Sequence, residues 1–367
     1  MVRQRHACLL AALLLTVAQA TNLAAAEFAD PVATPAELTE HALRAPVFAL
    51  AHGTGAVALG VGPRGHILRS SDGGKTWAQV PCPVSTDLVA VAFAGATHAW
   101  AVGHDGVMLH SDDAGVTWRK RMDGFELGKL LVDHYTRLAA ARPTAPVQRA
   151  LEDARKAAAG GAALSLLSVW FRDEREGFAA GQFNLLLHTA DGGASWQPWL
   201  ERTDNPDAYS LHAVAGDARQ VWIAGELGLV LRLVGSGDDA RFERVESPYK
   251  GSWFGLAVAP ASLLLYGLRG NAWRSRDAGA HWQRLDTGTD QPVNAGLIDN
   301  DGSVTLLTGR GLLLTSNGAA QRLVPLPRDG APLGAGYALL ATPTRRLLLG
   351  TAHGVQAVEP AAPRITP

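Results

Sequence analysis

An eight-residue phrase recurs four times along this chain, and its spacing restricts the possible folds more than any other feature. It reads Ser70-Ser71-Asp72-Gly73-Gly74-Lys75-Thr76-Trp77 and returns as Ser111-Asp112-Asp113-Ala114-Gly115-Val116-Thr117-Trp118. The next copies are Thr189-Ala190-Asp191-Gly192-Gly193-Ala194-Ser195-Trp196 and Ser275-Arg276-Asp277-Ala278-Gly279-Ala280-His281-Trp282. Asp72, Asp113, Asp191 and Asp277 are 41, 78 and 86 residues apart. The first step is one unit, the last is two, and the middle step is one unit plus an insertion of similar length. Self-similarity at a fixed period sets the architecture before any single residue is considered.

A second phrase carries the same period. It is a strand ending in Gly, a tight turn and another strand, as in Val61-Gly62-Pro63-Arg64-Gly65-His66-Ile67-Leu68. Its leading glycine is expected at 62, 103, 181, 225, 267, 309 and 350, with steps of 41, 78, 44, 42, 42 and 41. Large apolar residues stand three positions earlier, at Leu59, Trp100, Phe178, Trp222, Leu264, Leu306 and Leu347. One position earlier stand Val61, Val102, Ala180, Ala224, Tyr266, Thr308 and Leu349. Spacing of two puts both sets on one face of a strand, where they can pack against a neighbouring sheet. A period near 42 built from short alternating strands predicts an all-β, seven-bladed β-propeller.

Seven units make residues 27–367 a single closed domain, although a chain of 367 residues would suit two average ones. The expected blades are 46–81, 87–122, 165–200, 209–246, 252–285, 292–325 and 336–359. The seventh is short and lacks the Asp phrase; the segment around Phe28–Leu43 is expected to supply its outer strand and latch the ring. The insertion, about Asp123–Leu164, has apolar residues at helical spacing, among them Leu127, Leu130, Leu131, His134, Leu138, Val147, Ala150, Leu151, Ala154 and Ala158. Arg142-Pro143-Thr144-Ala145-Pro146 divides it into two helices, expected on the face of the glycine turns near the channel mouth.

The phrase with Asp72, Gly74 and Trp77 resembles the Asp-box, or BNR, repeat of several propeller families. So do Asp113, Gly115 and Trp118; Asp191, Gly193 and Trp196; and Asp277, Gly279 and Trp282. The Asp can accept backbone N–H groups, the Gly can take a left-handed turn, and the Trp can cover the hairpin, so the boxes read as structural. In the fourth unit the box has dissolved into Gly235-Ser236-Gly237-Asp238-Asp239; in the sixth, Gly318 takes the Asp slot and Leu323 the Trp slot.

Residues 1–26 read as an export signal. Arg3 and Arg5 precede an apolar run from Ala7 to Ala18, followed by small-residue cleavage sites at Ala18-Gln19-Ala20 or Ala24-Ala25-Ala26. Cys8 lies inside this leader, which leaves Cys82 as the single cysteine of the exported protein and no internal disulfide. The bacterial periplasm is the expected destination. Net charge is −1, or −3 without the leader, which gives no general case for nucleic-acid binding.

The twelve histidines are scattered, and no HxH, HExxH or CxxC motif, nucleophile elbow, phosphate loop or dinucleotide fingerprint occurs. No metal, cofactor, small-molecule substrate or catalytic residue is expected. A sialidase-like glycoside hydrolase or glycan binder with acids in the central channel is the alternative. The nearest approach to the sialidase Arg-Ile-Pro motif is Arg364-Ile365-Thr366, in the tail.

One pattern survives. The residue before the second turn glycine, or before Asn184 in unit three, is Arg64, Asp105, Phe183, Leu227, Arg269, Arg310 and His353 in successive units. Closing the ring makes units five, six, seven and one neighbours, so Arg269, Arg310, His353 and Arg64 form an arc that His104 extends into unit two. Such an arc can attract an acidic partner segment.

The boxes, the Ala-Trp-Ala-Val-Gly-His-Asp-Gly run at 99–106 and the exported N-terminus together resemble the photosystem II stability and assembly factor family, which includes relatives in non-photosynthetic bacteria. The resemblance spans essentially the whole mature chain. It implies a seven-bladed, non-catalytic binding scaffold that helps assemble or stabilise a membrane protein complex, with an Arg-rich surface in photosynthetic members. The degenerate boxes and the helical insertion are departures from that pattern.

Overall fold

The structure is a computed structural model that describes residues 29–316, 321–328, 333–343 and 346–359; the expected leader, Phe28, Gly318 and Arg364-Ile365-Thr366 lie outside these. Seven antiparallel sheets follow one another at residues 49–80, 88–122, 166–198, 211–244, 253–284, 293–325 and 336–358. Among the described residues six have four strands in meander order, and the seventh has three. The first strand of each blade packs on that of the next, and the first strand of blade seven packs on that of blade one, so the ring is closed.

Second strands explain the stacking. Ala58–Val61, Gly177–Gly181, Val221–Gly225, Ser262–Gly267, Val304–Thr308 and Leu347–Thr351 are buried along their whole length. A blade lies against each side of such a strand, so both of its faces must be apolar or small. Leu59, Trp100, Phe178, Trp222 and Leu264 are fully buried there, as expected.

Two units sit one residue away from the expected register. In blades one to five the leading glycine donates across the turn, as Gly62 N does to His66 O and Gly267 N to Asn271 O. In blade six that bond runs from Thr308 N to Leu312 O, not from Gly309, and in blade seven Thr351 rather than Gly350 pairs with Gly354. Thr308 and Thr351 are fully buried, and their hydroxyls tie the turn through Gln291 Oε1 and Gly354 O. The equivalent position three residues earlier is therefore Thr305 and Leu348; Leu306 and Leu347 are buried between blades as expected, but on the face turned to the preceding blade. A glycine beside each threonine, within a leucine-rich run, made the shifted alignment look equally regular in the sequence.

The latch also differs from expectation. No strand joins blade seven at its outer edge among the described residues; instead Glu40–Arg44 forms a 3-10 helix, packed on the last strand of blade seven and the fourth strand of blade one. Prolines 31, 35 and 46 cannot donate to a ladder, which disfavours a strand through this stretch. The segment does close the ring. A Cβ on Gly354 would stand 2.2 Å from Leu43 O, just as one on Gly65 would stand 2.0 Å from Val84 O in the connection to blade two. The N-terminal segment thus occupies the slot that the inter-blade connection fills elsewhere. Val47 N donates to Thr351 O at 3.0 Å, and the Phe48 ring meets Tyr337 edge-on at 5.4 Å.

The insertion folds as two helices, α1 (Gly124–Ala141) and α2 (Ala145–Ala159). Asp123 and Glu126 form a reciprocal capping box at the start of α1, and Pro146 opens α2. Leu127, Leu131, Tyr135, Ala150, Leu151 and Ala154 bury the shared face against Leu164, Leu185 and Leu200 of blade three.

Candidate partner-binding face

The turns between second and third strands share one face of the ring with the connections between blades. Their tips are unusual backbone positions: Arg64, Asp105, Phe183, Leu227 and Arg269 all have φ between 48° and 56°. A non-glycine residue in this left-handed region points its side chain away from the turn, and each of these except Asp105 is exposed. Arg310, His353 and His104 are exposed at the same turns in blades six, seven and two. The structure therefore brings Arg64, Arg269, Arg310, His353 and His104 to one face, in five adjacent blades.

Arg64, Arg269 and Arg310 make no ion pair among the described residues. Carboxylates beside the tips are engaged by backbone or hydroxyl donors rather than by the guanidinium groups. Asp105 Oδ2 accepts from Thr86 Oγ1 at 2.5 Å, Asp87 Oδ1 accepts from Arg64 N at 2.9 Å, and Glu226 Oε2 accepts from Ser210 N at 2.7 Å. Guanidinium groups without a protein partner remain available to an incoming anion.

The helical hairpin lies on this face, as expected, but over the outer half of blade three rather than at the channel mouth. Helix α1 touches the His104–Gly106 turn and the outer strand Gln197–Pro198, and α2 touches the Leu200–Arg202 turn. Its anchor was not evident in the sequence. Tyr135 Oη donates to Glu201 Oε2 at 2.7 Å and accepts from Leu200 N at 2.8 Å, and burial pushes its phenol well above its usual range. Tyrosine at a helical core position carried the signal, but nothing local named its partners. Between α2 and the Phe183 turn runs an apolar groove of about 360 Å³.

His104 and His110 do not come together. His104 is at its turn, whereas His110 stacks on His98, with Nε2 3.1 Å from His98 Nδ1. Among the described residues no group of three or more His, Cys, Asp or Glu converges as a metal site. Cys82 is buried, which pushes its thiol up to about 11.

The Asp-boxes lie on the opposite face and are bonded as their sequence implies. Asp72 Oδ1 accepts from Lys75 N and Thr76 N at 2.9 and 3.0 Å, and Oδ2 accepts from Thr76 Oγ1 at 2.6 Å. Ser70 Oγ donates to Asp72 and accepts from Gly74 N. Asp113 and Asp191 repeat this with Thr117 and Ser195, while His281 supplies the donors to Asp277. The bonds from Ser195 hold Asp191 at about 2, and those from His281 do the same for Asp277. At Asp113 burial opposes the shift and is outweighed by the bonds from Thr117 and Ser111, leaving it also at about 2. Trp77 and Trp118 close their boxes by donating to Gly74 O and Gly115 O.

The channel wall is not acidic. The seven inner strands, Ala49–His52, Leu88–Ala94, Leu166–Phe171, Leu211–Gly216, Trp253–Ala259, Val293–Ile298 and Gly336–Ala341, contain no Asp, Glu, Lys or Arg. A hollow of about 1050 Å³ opens on the box face between blades six, seven and one; His52, Lys75, Asp299, Arg346 and Glu359 are among its lining residues.

The family model described as Photosynthesis system II assembly factor YCF48 matches residues 45–127 and 161–285, more than half of the chain. The gap in that match coincides with most of the helical hairpin. A curated relative, Photosystem II assembly lipoprotein Ycf48 of Synechococcus sp. (strain CC9902), is 24% identical over 146 residues, 40% of this chain. That match covers 44% of the relative's own length. Among solved structures, YCF48 bound to D1 peptide superposes with a TM-score of 0.61 at 14% identity, covering 91% of this chain and 98% of that one. YCF48 from Cyanidioschyzon merolae gives the same TM-score at 16% identity, covering 90% and 100%.

Proposed function

The chain belongs to the photosystem II assembly factor (Ycf48) family, and on that premise we propose that it is an exported, non-catalytic scaffold that holds a segment of a membrane protein on its turn face. The observation that carries this reading is the run of exposed basic residues at equivalent turns of adjacent blades, Arg269, Arg310, His353 and Arg64, with His104 beyond them. The matching ligand is an extended segment of a membrane-complex subunit bearing carboxylates, bound by charge-assisted hydrogen bonds to the arginines. A structural neighbour described as bound to D1 peptide supports a peptide as the kind of ligand this fold takes. Export to the bacterial periplasm after loss of residues 1–26 accords with the leader-like N-terminus and with a relative named as a lipoprotein. The helices over blade three add a second contact surface beside the arc.

The rival reading places paired acids in the channel, and the inner strands supply none. The test is capture of membrane-protein partners from membrane extracts, identified by mass spectrometry, with wild type and an Arg64→Glu, Arg269→Glu, Arg310→Glu variant. Loss of capture at unchanged thermal stability supports the arc, and unchanged capture discards it. Robust turnover of fluorogenic glycosides would replace the scaffold reading with the hydrolase.

A further inference from the structure

The turn face has a second half that the basic arc does not use. In blades three and four the tips are Phe183 and Leu227, and in blade five Leu268 stands beside the Arg269 tip; the three are 65%, 60% and 37% exposed. Most large apolar side chains of this chain are buried, so three exposed ones in consecutive blades on one face form a pattern rather than scatter. Phe183 and Leu227 also occupy left-handed backbone, with φ of 53° and 48°. Bulky residues pay roughly 1–2 kcal/mol for that conformation, which Gly or Asn would largely avoid. The chain thus bears strain at the same positions where it leaves apolar surface in water.

The apolar half meets the basic half within blade five, where Leu268 adjoins Arg269, and the basic half continues through Arg310 and Arg64. Exposed acids on the same side stand in the connections, at Asp204, Asp207, Asp286 and Asp290, and on the hairpin, at Glu126 and Glu152, rather than at the turn tips. The seven turns hold equivalent places around a closed ring, so their tips project on one side, with the helical hairpin packed beside the blade-three turn. Projecting apolar side chains beside cations fit an interfacial layer that they can enter.

We propose that the turn face docks on an anionic lipid bilayer, with Phe183, Leu227 and Leu268 entering the interfacial layer and Arg269, Arg310 and Arg64 meeting headgroup phosphates. Partly buried apolar tips with adjacent cations are the two contributions that interfacial binding adds together. Docking in this orientation would present the helical hairpin, on the same face, to membrane-embedded partners. The inference does not depend on partner capture, because vesicle binding is measured with no second protein present.

The test is flotation of the full chain with phosphatidylglycerol-containing vesicles and with pure phosphatidylcholine vesicles, taking the ratio of the two partition constants. That ratio cancels a charge-independent contribution from the apolar N-terminal run, which every variant shares. Phe183→Asn and Leu227→Asn keep a residue that tolerates left-handed backbone, and each should weaken binding to anionic vesicles on the order of tenfold. Arg269→Gln and Arg310→Gln should each lower the anionic-to-zwitterionic ratio roughly fivefold, with the wild-type ratio falling as salt rises. The arginine variants alter exposed side chains only, so they still decide the matter if an Asn variant folds poorly. A wild-type ratio near one, or a ratio unmoved by both arginine variants, overturns the proposal. So does an outcome in which the Asn variants lose capture of a detergent-solubilised partner while binding vesicles as wild type does, since the apolar tips would then belong to a protein ligand.

Discussion

A Cβ placed on Gly193 would stand 2.1 Å from Cζ2 of Trp100 on the preceding blade. The box glycine of one blade is thus seated on the second strand of its neighbour. The same relationship joins Gly115 to Leu59 and Gly74 to Leu348. The Asp-box is both a turn and an inter-blade contact.

Two effects are separable here. Gly193→Ala meets both the ring of Trp100 and a φ of 86°, so it should cost about 3 kcal/mol. Gly73→Ala faces open space at a φ of 76° and should cost only about 1 kcal/mol, from the backbone alone. Urea unfolding of both variants checks this, and equal losses would show that the neighbour contact contributes nothing.

Asp113 holds two backbone N–H groups and the hydroxyls of Thr117 and Ser111, so Asp113→Ala should destabilise by about 1–2 kcal/mol. Asp238→Ala, in blade four where the box has dissolved, should stay within about 0.5 kcal/mol of wild type. Thermal midpoints of the pair decide it. A loss at Asp238 matching that at Asp113 would mean that the box bonds are not what stabilises the loop.

Tyr135→Phe removes the hydroxyl that Leu200 N donates to and that donates to Glu201. The buried Leu200 N–H would be left unpaired, at a cost of about 1–3 kcal/mol. The loss should be local: amide exchange should quicken in α1, α2 and residues 199–203 while the strands of blades five to seven keep their protection. Uniform acceleration around the ring would show instead that the hairpin supports the propeller as a whole.

Acid should weaken the fold in two stages. His188 is held at about 4 by burial, then by Arg202 and Arg172; Glu176 lies 3.6 Å away but is engaged by Arg172. Burial likewise lowers His66, His110 and His134. An unfolded imidazole takes its proton near 6.5, so between there and about 4 the unfolded chain binds more protons, and stability falls as pH drops. The box carboxylates, Asp113, Asp191 and Asp277, sit at about 2 against an ordinary 3.8, so their contribution is complete above 3.8 and is lost as pH falls through 2. Urea midpoints at pH 7, 5 and 3 should decline in that order; a midpoint unchanged from pH 7 to 5 would remove the histidines from the account.

What the chain order alone determined is everything that repeats locally. The period set seven blades, the hydroxyl–Asp–Gly spacing set the bonding of each box, and the proline break at 142–146 set the division between the helices, because each depends on residues within a few positions of one another. The structure decided what depends on contact between distant segments. Whether Thr308 or Gly309 leads its turn follows from burial between blades six and seven. Whether residues 40–44 form a strand or a 3-10 helix follows from the slot that Gly354 leaves for Leu43 O. The partner of Tyr135 lies 65 residues away at Leu200, and the apolar half of the turn face exists only once the ring brings Phe183, Leu227 and Leu268 side by side. Local spacing encodes backbone geometry; adjacency across a closed ring is created by packing, and packing is where the surface for a partner is assembled.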